Sequence, residues 1–266
     1  MGSAFSCPVS PGLYEQFLLF GDSITEFSEK QDVGFGFAPA LRYAYIRRLE
    51  VVNRGLSGYN TAMALKVIDR VIPKPCEARV RLMTIFFGAN DSCFPTERSN
   101  QCVPLPDFKA NLIKIVRHPA VTAHASRIVL ITPPPIDERT QQAVDLTKGF
   151  ALRRSAENTR RYAEAVCEVG KELGLPVLDL WSIFMLQAGW KPEAEKPLPG
   201  SLDEAPNEEL ARLLIDGLHL TPAGYQLMYD QFNVVLAQAY PTEVPTRLPY
   251  ILPRWDDEGA WSNFPS

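Results

Sequence analysis

The amino-acid sequence predicts an α/β fold built on a mostly parallel sheet. Two observations indicate it: five short apolar runs are spread along the chain, and amphipathic stretches with apolar residues three or four positions apart lie between them. Strands that alternate with helices form right-handed βαβ units, in which the strands are parallel. The 266 residues fit one large domain of this kind.

The strands are expected where apolar residues follow one another without alternation, because strands covered on both faces carry such runs. In chain order the runs are Gln16–Phe20, Leu49–Asn53, Val80–Phe87, Arg127–Thr132 and Val177–Leu180. The third run is the longest. These five runs predict a sheet of five strands.

The helices are expected between and after these strands. Their predicted ranges are Ala38–Arg48, Ala62–Ile72, Asp107–Arg117, Ala151–Leu173 and Pro222–Ala239. The last helix has the clearest beginning, since Thr221 can cap it and Pro222 suits its first position. Gly174 is expected to end the helix before it, because glycine readily adopts the left-handed conformation of a helix end.

Proline marks the parts of the chain outside these elements. Of the 23 prolines, 11 cluster at residues 133–135, 192–206 and 241–253. We therefore expect a lead-in segment over residues 1–15, one domain over 16–240 and an irregular Pro/Trp-rich tail over 241–266. The tail is expected to pack over the domain or onto a second subunit.

The composition argues against several classes of function. Lys and Arg number 27 against 31 Asp and Glu, without a basic stripe, which argues against a nucleic-acid partner. No run of 18 apolar residues occurs, so a transmembrane helix is not expected. The chain has three histidines, none four positions from another, so neither a multi-histidine metal site nor a metal cofactor is expected.

The cysteines and the first residues of the chain indicate the cellular compartment to expect. The cysteines are Cys7, Cys76, Cys93, Cys102 and Cys167. Their odd number and the absence of CxxC favour free thiols in a reducing compartment. The first residues resemble no secretory signal, so we expect a cytoplasmic location. Gly2 and Ser6 match the loose myristoylation pattern, but no basic residue precedes Lys30, so we expect no stable membrane anchor.

Ser23 is a candidate nucleophile. In a parallel sheet the ligand lies beyond the carboxyl ends of the strands, and Gly21-Asp22-Ser23 follows the first strand. A serine at a strand-to-helix turn has an exposed hydroxyl and a backbone N–H that favours negative charge, which suits attack on an acyl carbon. This segment alone leaves a plain helix cap equally open. We expect Asp22 to hold the turn.

Asp216 and His219 are a candidate acid–base pair just ahead of the last helix. At three residues apart, the carboxylate can hold one ring nitrogen while the other nitrogen faces a nucleophile. Taken alone, a single histidine is more often structural. His118 and His124 are expected to be ordinary surface or loop histidines.

Two further segments can bind a developing oxyanion. Asn90, in Gly88-Ala89-Asn90-Asp91 after the longest run, offers an NH₂ donor. Gly58 follows the second run, and glycine lets the backbone approach a ligand and offers an unobstructed N–H. Each segment taken alone would also form an ordinary turn.

Together and in this order, the segments resemble the four blocks of the SGNH/GDSL hydrolase family. The matching residues are Gly21-Asp22-Ser23, Gly58, Gly88–Asp91 and Asp216–His219. The resemblance extends from Gln16 to Ala239. FLLFGDSITEF, FGANDSC and DGLHLTPAGY are also similar to segments of the fungal isoamyl acetate-hydrolysing esterases within that family.

The resemblance implies both a fold and a set of roles. The fold is a three-layer α/β/α sandwich with five parallel strands, flavodoxin-like. Ser23 is the implied nucleophile, His219 the base and Asp216 the residue that orients His219. The implied oxyanion hole consists of the Ser23 N–H, the Gly58 N–H and the Asn90 side chain, and no cofactor is implied.

These residues predict a serine esterase that forms an acyl-serine intermediate on small, uncharged carboxylic esters, with water as the second reactant. The resemblance favours acetates of short-chain alcohols. A thioesterase, lysophospholipase or sugar deacetylase on the same scaffold stays open, and so does a homodimer. A non-catalytic flavodoxin-like binding protein is the remote alternative, because the phosphate-binding patterns GxxxxGK[ST] and GxGxxG are missing.

Overall fold

Five parallel strands form one sheet, in the order β2-β1-β3-β4-β5. The computed structural model describes residues 13–96, 99–192 and 197–264. The strands are β1 Gln16–Gly21, β2 Glu50–Gly55, β3 Val80–Phe86, β4 Arg127–Ile131 and β5 Val177–Leu178. The predicted five-stranded parallel sheet is confirmed. From β1 the chain continues to β2 on one side and to β3 on the other, so the strand order changes direction between β1 and β3. In parallel sheets ligands bind at such a point.

Helices cover both faces of the sheet. They are α1 Ser23–Phe27, α2 Phe37–Ala44, α3 Thr61–Val71, α4 Leu105–Val116, α5 Pro119–Thr122, α6 Glu138–Thr147, α7 Ala156–Leu173, α8 Leu180–Gln187, α9 Glu208–Leu213, α10 Pro222–Ala239 and α11 Glu258–Ser262. Within the described parts of the chain, none of these helices has the length and apolar character that a membrane crossing requires.

Two apolar cores lie on opposite faces of the sheet. Phe17 and Leu19 of β1 enter a core closed by α2, α8, α9 and α10, whereas Leu18 and Phe20 enter one closed by α3, α4 and α7. Successive side chains of a strand point to opposite faces, so a strand covered on both sides is apolar at every position. This is the physical reason for the uninterrupted apolar runs. The two cores, one on each face of the sheet, confirm the three-layer sandwich.

Most helix boundaries agree with the sequence signals, but two predicted ranges are wrong at one end. Thr221 caps α10 by accepting from the Gly224 N–H, and Gly174 ends α7 with a φ of 64°. Helix α2 ends at Ala44 because a turn follows, in which Arg47 has a φ of 63°. Helix α7 begins at Ala156 rather than Ala151, because Ser155 caps it there.

The segment before α7 forms part of the candidate site. Residues 151–155 are a connection without regular structure, and the sequence pattern does not predict α6, which precedes it. Helix α6 is short, and the residues that it buries, Glu138, Gln141 and Asp145, are polar, so its apolar periodicity is weak.

The C-terminal tail packs against the connection between α2 and β2. The Arg48 guanidinium donates to the Leu248 carbonyl, and the Tyr250 ring lies within 4.5 Å of both the Arg47 and Arg48 guanidinium carbons. Beyond these contacts, Trp255 is 87% exposed. The tail is irregular apart from a 3₁₀ turn at Pro245–Arg247 and α11.

The expectation of free thiols is correct at three positions and wrong at one. Cys93, Cys102 and Cys167 are free, whereas Cys76, in a turn before β3, is disulfide-bonded. Cys7 lies outside the described residues, as do Gly2 and Ser6. A disulfide requires its two Cα atoms to lie within about 7 Å, and the spacing of cysteines along a chain does not report that distance.

Two buried carboxylates hold the loops at the carboxyl ends of β1 and β3. Oδ1 of Asp22 accepts from the Ile24 N–H at 2.9 Å and caps α1, as expected. Oδ1 of Asp91 accepts from the Thr61 N–H at 2.9 Å and from its hydroxyl at 2.5 Å, at the beginning of α3. In both residues Oδ2 is buried without a partner among the described residues. Burial raises the pKa of Asp22 to about 6 and that of Asp91 to about 7.

We expect Asp91→Asn to change how stability depends on pH. Because the folded-state pKa of Asp91 lies above the ordinary value of about 3.9, the folded protein binds this proton more tightly than the unfolded chain. The carboxylate therefore lowers the free energy of unfolding as pH rises from about 4 to about 7. Asparagine keeps the oxygen that accepts from Thr61 and does not titrate.

Urea unfolding at pH 4 and pH 8 measures this effect. The free energy of unfolding of Asp91→Asn minus that of the unaltered protein is expected to be larger at pH 8 than at pH 4. Asp107→Asn, at an exposed aspartate of α4, is the matched control. The prediction would be contradicted if the difference in free energy of unfolding between Asp91→Asn and the unaltered protein were the same at both pH values.

Candidate active site

Ser23 is the first residue of α1, immediately after the Asp22 cap and two residues beyond the end of β1. In this position its backbone N–H has no acceptor within the helix. Close packing of α1 against the end of β2 depends on Gly55, where a Cβ would lie 2.0 Å from the Glu26 nitrogen. The Ser57 N–H also donates to the Glu26 carboxylate at 2.7 Å, so the loops after β1 and β2 are joined.

Ser23, His219 and Asp216 form a continuous chain of hydrogen bonds. The Ser23 Oγ lies 2.9 Å from the His219 Nε2, and the His219 Nδ1 lies 2.7 Å from the Asp216 Oδ2. The structure thus brings together the three side chains that the sequence proposes for catalysis. The ring of Phe27, 5.1 Å from that of His219 between centroids, covers one side of the histidine.

The loop that carries Asp216 and His219 is a tight turn between α9 and α10. Leu214 and Leu220 form a β-bridge across it, and the Ile215 N–H donates to the His219 carbonyl at 2.8 Å. Gly217 has a φ of 80°, and a Cβ there would lie 2.5 Å from the Asp137 carbonyl oxygen. The turn therefore needs glycine at this position for both its conformation and its close approach.

Asp216 is held in its ionised form. Burial by itself favours the neutral acid, but the hydrogen bond and charge of His219 and the backbone N–H groups of His219 and Leu218 outweigh it. Together they keep the pKa of Asp216 well below its ordinary value. An ionised carboxylate at Nδ1 holds the proton there and leaves Nε2 to accept a proton from the serine.

The two remaining sequence candidates lie on the same cavity. Gly58, with a φ of 79°, and Asn90 line a cavity of about 210 Å³ together with Ser23, Asp216 and His219. The Asn90 Nδ2 donates to the Tyr59 carbonyl at 2.9 Å, so one of its two hydrogens is used within the protein. The other hydrogen is available to a ligand.

The sequence did not predict several residues that line another side of this cavity. Gln101 and Gln141 lie on it, as do the basic residues Lys148, Arg153 and Arg154. Most of them belong to α6 and the connection before α7, and the pattern assigned Arg153 and Arg154 to a longer α7. No motif marks these positions, although two adjacent arginines just before a serine cap are a signal that sequence reasoning can use.

The other two histidines lie apart from the site. His118 caps α5, where its Nδ1 accepts from the Ala120 N–H at 3.3 Å. His124 is buried rather than on the surface, with its Nδ1 accepting from the Val80 N–H at 3.1 Å, at the amino end of β3. The candidate site lies at the carboxyl end of that strand.

No group of three or more His, Cys, Asp or Glu side chains in the described ranges is arranged to hold a metal ion. The chemistry that the cavity offers comes from its own side chains and backbone. A serine hydroxyl, a histidine oriented by a carboxylate, and amide donors from separate loops are the groups that acyl transfer through a covalent intermediate requires. A larger cavity of about 410 Å³, beside Trp190 and Asn207, holds no such set.

Comparisons with known proteins indicate the family of the chain. The model of the GDSL-like lipase/acylhydrolase family matches residues 19–227. The mouse isoamyl acetate-hydrolyzing esterase 1 homolog is 34% identical, over 92% of this chain and 88% of its own length. The Saccharomyces cerevisiae isoamyl acetate-hydrolyzing esterase is 29% identical, over 92% of this chain and 95% of its own length.

Among solved structures, a lipase/acylhydrolase from Enterococcus faecalis superposes with a TM-score of 0.58. It is 23% identical and covers 89% of this chain and 98% of its own, which supports the fold alone. The match of the family model over most of the chain, together with the identity to the mouse relative, shows the family. The chain belongs to the GDSL-like lipase/acylhydrolase family of ester hydrolases.

Proposed function

We propose that this protein is a serine esterase that hydrolyses small carboxylic esters through an acyl-serine intermediate. The observation that carries the proposal is the hydrogen-bond chain from Ser23 through His219 to Asp216, at 2.9 Å and 2.7 Å. It lies on a cavity that also presents Gly58 and Asn90.

In the first half of the reaction, the Ser23 oxygen attacks the ester carbonyl carbon as the His219 Nε2 takes its proton. Asp216 stabilises the protonated imidazole. The negative charge on the former carbonyl oxygen is stabilised by the N–H groups of Ser23 and Gly58 and by the Asn90 amide. The bond to the alcohol oxygen then breaks, and His219 donates its proton to that oxygen.

In the second half, water replaces the alcohol. His219 takes a proton from the water as its oxygen attacks the acyl carbon of the acyl-serine, and the same donors stabilise the second oxyanion. The bond to the Ser23 oxygen breaks, the serine regains its proton from His219, and the carboxylic acid leaves. The side chains thus return to their starting protonation states.

Acetates of short-chain alcohols are the substrates we propose. The Saccharomyces cerevisiae relative is an isoamyl acetate-hydrolyzing esterase by name, and the mouse relative is named as a homolog of such an esterase. The cavity of about 210 Å³ is smaller than the roughly 300–1,000 Å³ usual for drug-sized ligands. Phe27 and Leu218 provide apolar surface in this cavity, which suits the short hydrocarbon groups of such an ester. A thioesterase, lysophospholipase or sugar deacetylase is the alternative that substrate profiling distinguishes.

A cytoplasmic location stays a prediction. The free thiols of Cys93, Cys102 and Cys167 are compatible with a reducing compartment, while the disulfide at Cys76 is typical of an oxidising one.

We also propose that the chain forms a homodimer through its C-terminal tail. Trp255 is 87% exposed, and Trp261 and Phe264 beyond it are also exposed. A contiguous group of exposed aromatic side chains commonly marks a protein–protein contact. The proposal places this end of the tail against a second copy of the chain.

Substitution of the proposed nucleophile or base is expected to abolish hydrolysis of 4-nitrophenyl acetate. Ser23→Ala and His219→Ala should each lower kcat by about 10⁴-fold or more, since such residues act as a unit. His118→Ala is the matched control and should keep a near-normal rate, because His118 lies outside the cavity. Circular dichroism verifies that the variants fold, and a folded Ser23→Ala variant that retained activity would rule out the mechanism.

A series of substrates tests the proposed ester class. We expect kcat/KM to fall by at least about tenfold from acetate to octanoate esters, because a close-fitting pocket discriminates strongly between chain lengths. Acetyl thioesters, a lysophospholipid and an acetylated sugar are compared at equal concentration. Faster turnover of any of these than of isoamyl acetate would reject the proposed substrate in favour of that alternative.

Light scattering after size-exclusion chromatography tests the dimer. The full chain is expected at twice its mass of 29.7 kDa, and a chain truncated after Arg254 at the mass of one copy. This truncation keeps the tail residues that contact Arg47 and Arg48. Leu186→Ser, at an exposed leucine of α8, is the control and should stay dimeric. A full chain that elutes with the mass of one copy would refute the dimer.

A further inference from the structure

The side-chain amide of Asn90 is fixed from three sides. Its Oδ1 accepts from the Arg154 Nη2 and from the Gln101 Nε2, each at 3.2 Å. Its Nδ2 donates to the Tyr59 carbonyl at 2.9 Å. A reversed amide would place oxygen against the carbonyl and NH₂ against two donors, so these contacts decide its orientation. The remaining N–H is the one available to the cavity.

Arg154 contacts both the backbone and the side chain of the turn after β3. Its Nε donates to the Ala89 carbonyl at 2.8 Å, and its Nη2 donates to the neighbouring Asn90 side chain. The residue is 2% exposed and directly precedes Ser155, the cap of α7. One guanidinium group thus joins the beginning of a long helix to the turn that carries Asn90.

The charge of Arg154 is unusual in its surroundings. No carboxylate of the described part of the chain lies within ion-pair distance of it; Asp22 and Asp145 act on it only at longer range. Burial lowers the pKa of Arg154, although arginine stays protonated. A buried cation without a direct counter-ion is costly for stability and calls for a compensating role.

We infer that Arg154 is a positioning residue for the oxyanion hole, which orients the Asn90 amide and strengthens it as a donor. A charged donor on the amide oxygen draws electron density from the amide nitrogen, so the remaining N–H becomes a stronger donor. The inference rests on the proposed function, since it concerns the oxyanion of that reaction.

The neighbouring residues do not supply the same effect. Gln101 joins the two parts of the hole, because its Nε2 donates to both the Gly58 carbonyl at 3.0 Å and Asn90, but it is neutral. The charge of Arg153 is balanced by Asp145, 2.7 Å away and fully buried. Arg154 alone combines a direct bond to Asn90 with a charge that no direct partner neutralises.

A double-mutant cycle on kcat for 4-nitrophenyl acetate tests the inference. The variants are Arg154→Met, Asn90→Ala and both together, with Arg161→Met, at an exposed arginine of α7, as the control. A hydrogen bond from a charged group is worth about 10- to 100-fold, so Arg154→Met should lower kcat by that factor with little change in KM. In the Asn90→Ala background the same substitution should lower kcat by less than about threefold, because interacting residues are not additive.

A multiplicative loss in the double variant, or an unchanged kcat in Arg154→Met, would overturn the inference, since Arg154 would then act independently of Asn90. If Arg154→Met does not fold, the cycle is run with Arg154→Lys, which keeps the charge but cannot make both bonds. Arg154→Lys should also lower kcat when residue 90 is asparagine, and should not lower it in the Asn90→Ala background. Failure of the proposed function is distinguishable, because it appears as absent wild-type turnover or an active Ser23→Ala variant.

Discussion

The parallel pairing of β1 with both β2 and β3 is the constraint on which the site depends. In this register Gly21 lies beside Gly55 on one side and Phe86 on the other. Three strands therefore end at one level, and the loops that follow them begin together. Ser23, Gly58 and Asn90, which are far apart in the chain, meet for this reason on one cavity.

Bringing these loops together places charged groups in a dry environment. Asp22 and Asp91 are buried with one unpaired oxygen each, and burial raises their pKa values to about 6 and about 7. Arg154 is buried nearby with only neutral groups as hydrogen-bond partners. Such groups reduce stability, and functional sites are where proteins retain them. The same carboxylates and guanidinium bind the turns that carry the proposed catalytic groups.

The segment after β4 completes the site from the opposite side. The Asp137 N–H donates to the Gly217 carbonyl at 2.9 Å, which holds the turn between Asp216 and His219. Farther along, the same segment leads through α6 to Arg154 and its contacts with Asn90. One connection therefore supports both His219, the proposed base, and Asn90, the proposed oxyanion donor, although neither lies within it.

The sequence by itself determined the sheet, because strands covered on both faces need apolar residues at consecutive positions. It also determined the local turns, such as Asp216–His219, and the four blocks that contain the candidate side chains. Only the tertiary structure decided that Cys76 is disulfide-bonded and that Gln101 and Arg154 hold Asn90. Each of these depends on contacts between residues distant in the chain, and such contacts leave no periodicity or short-range spacing in the sequence.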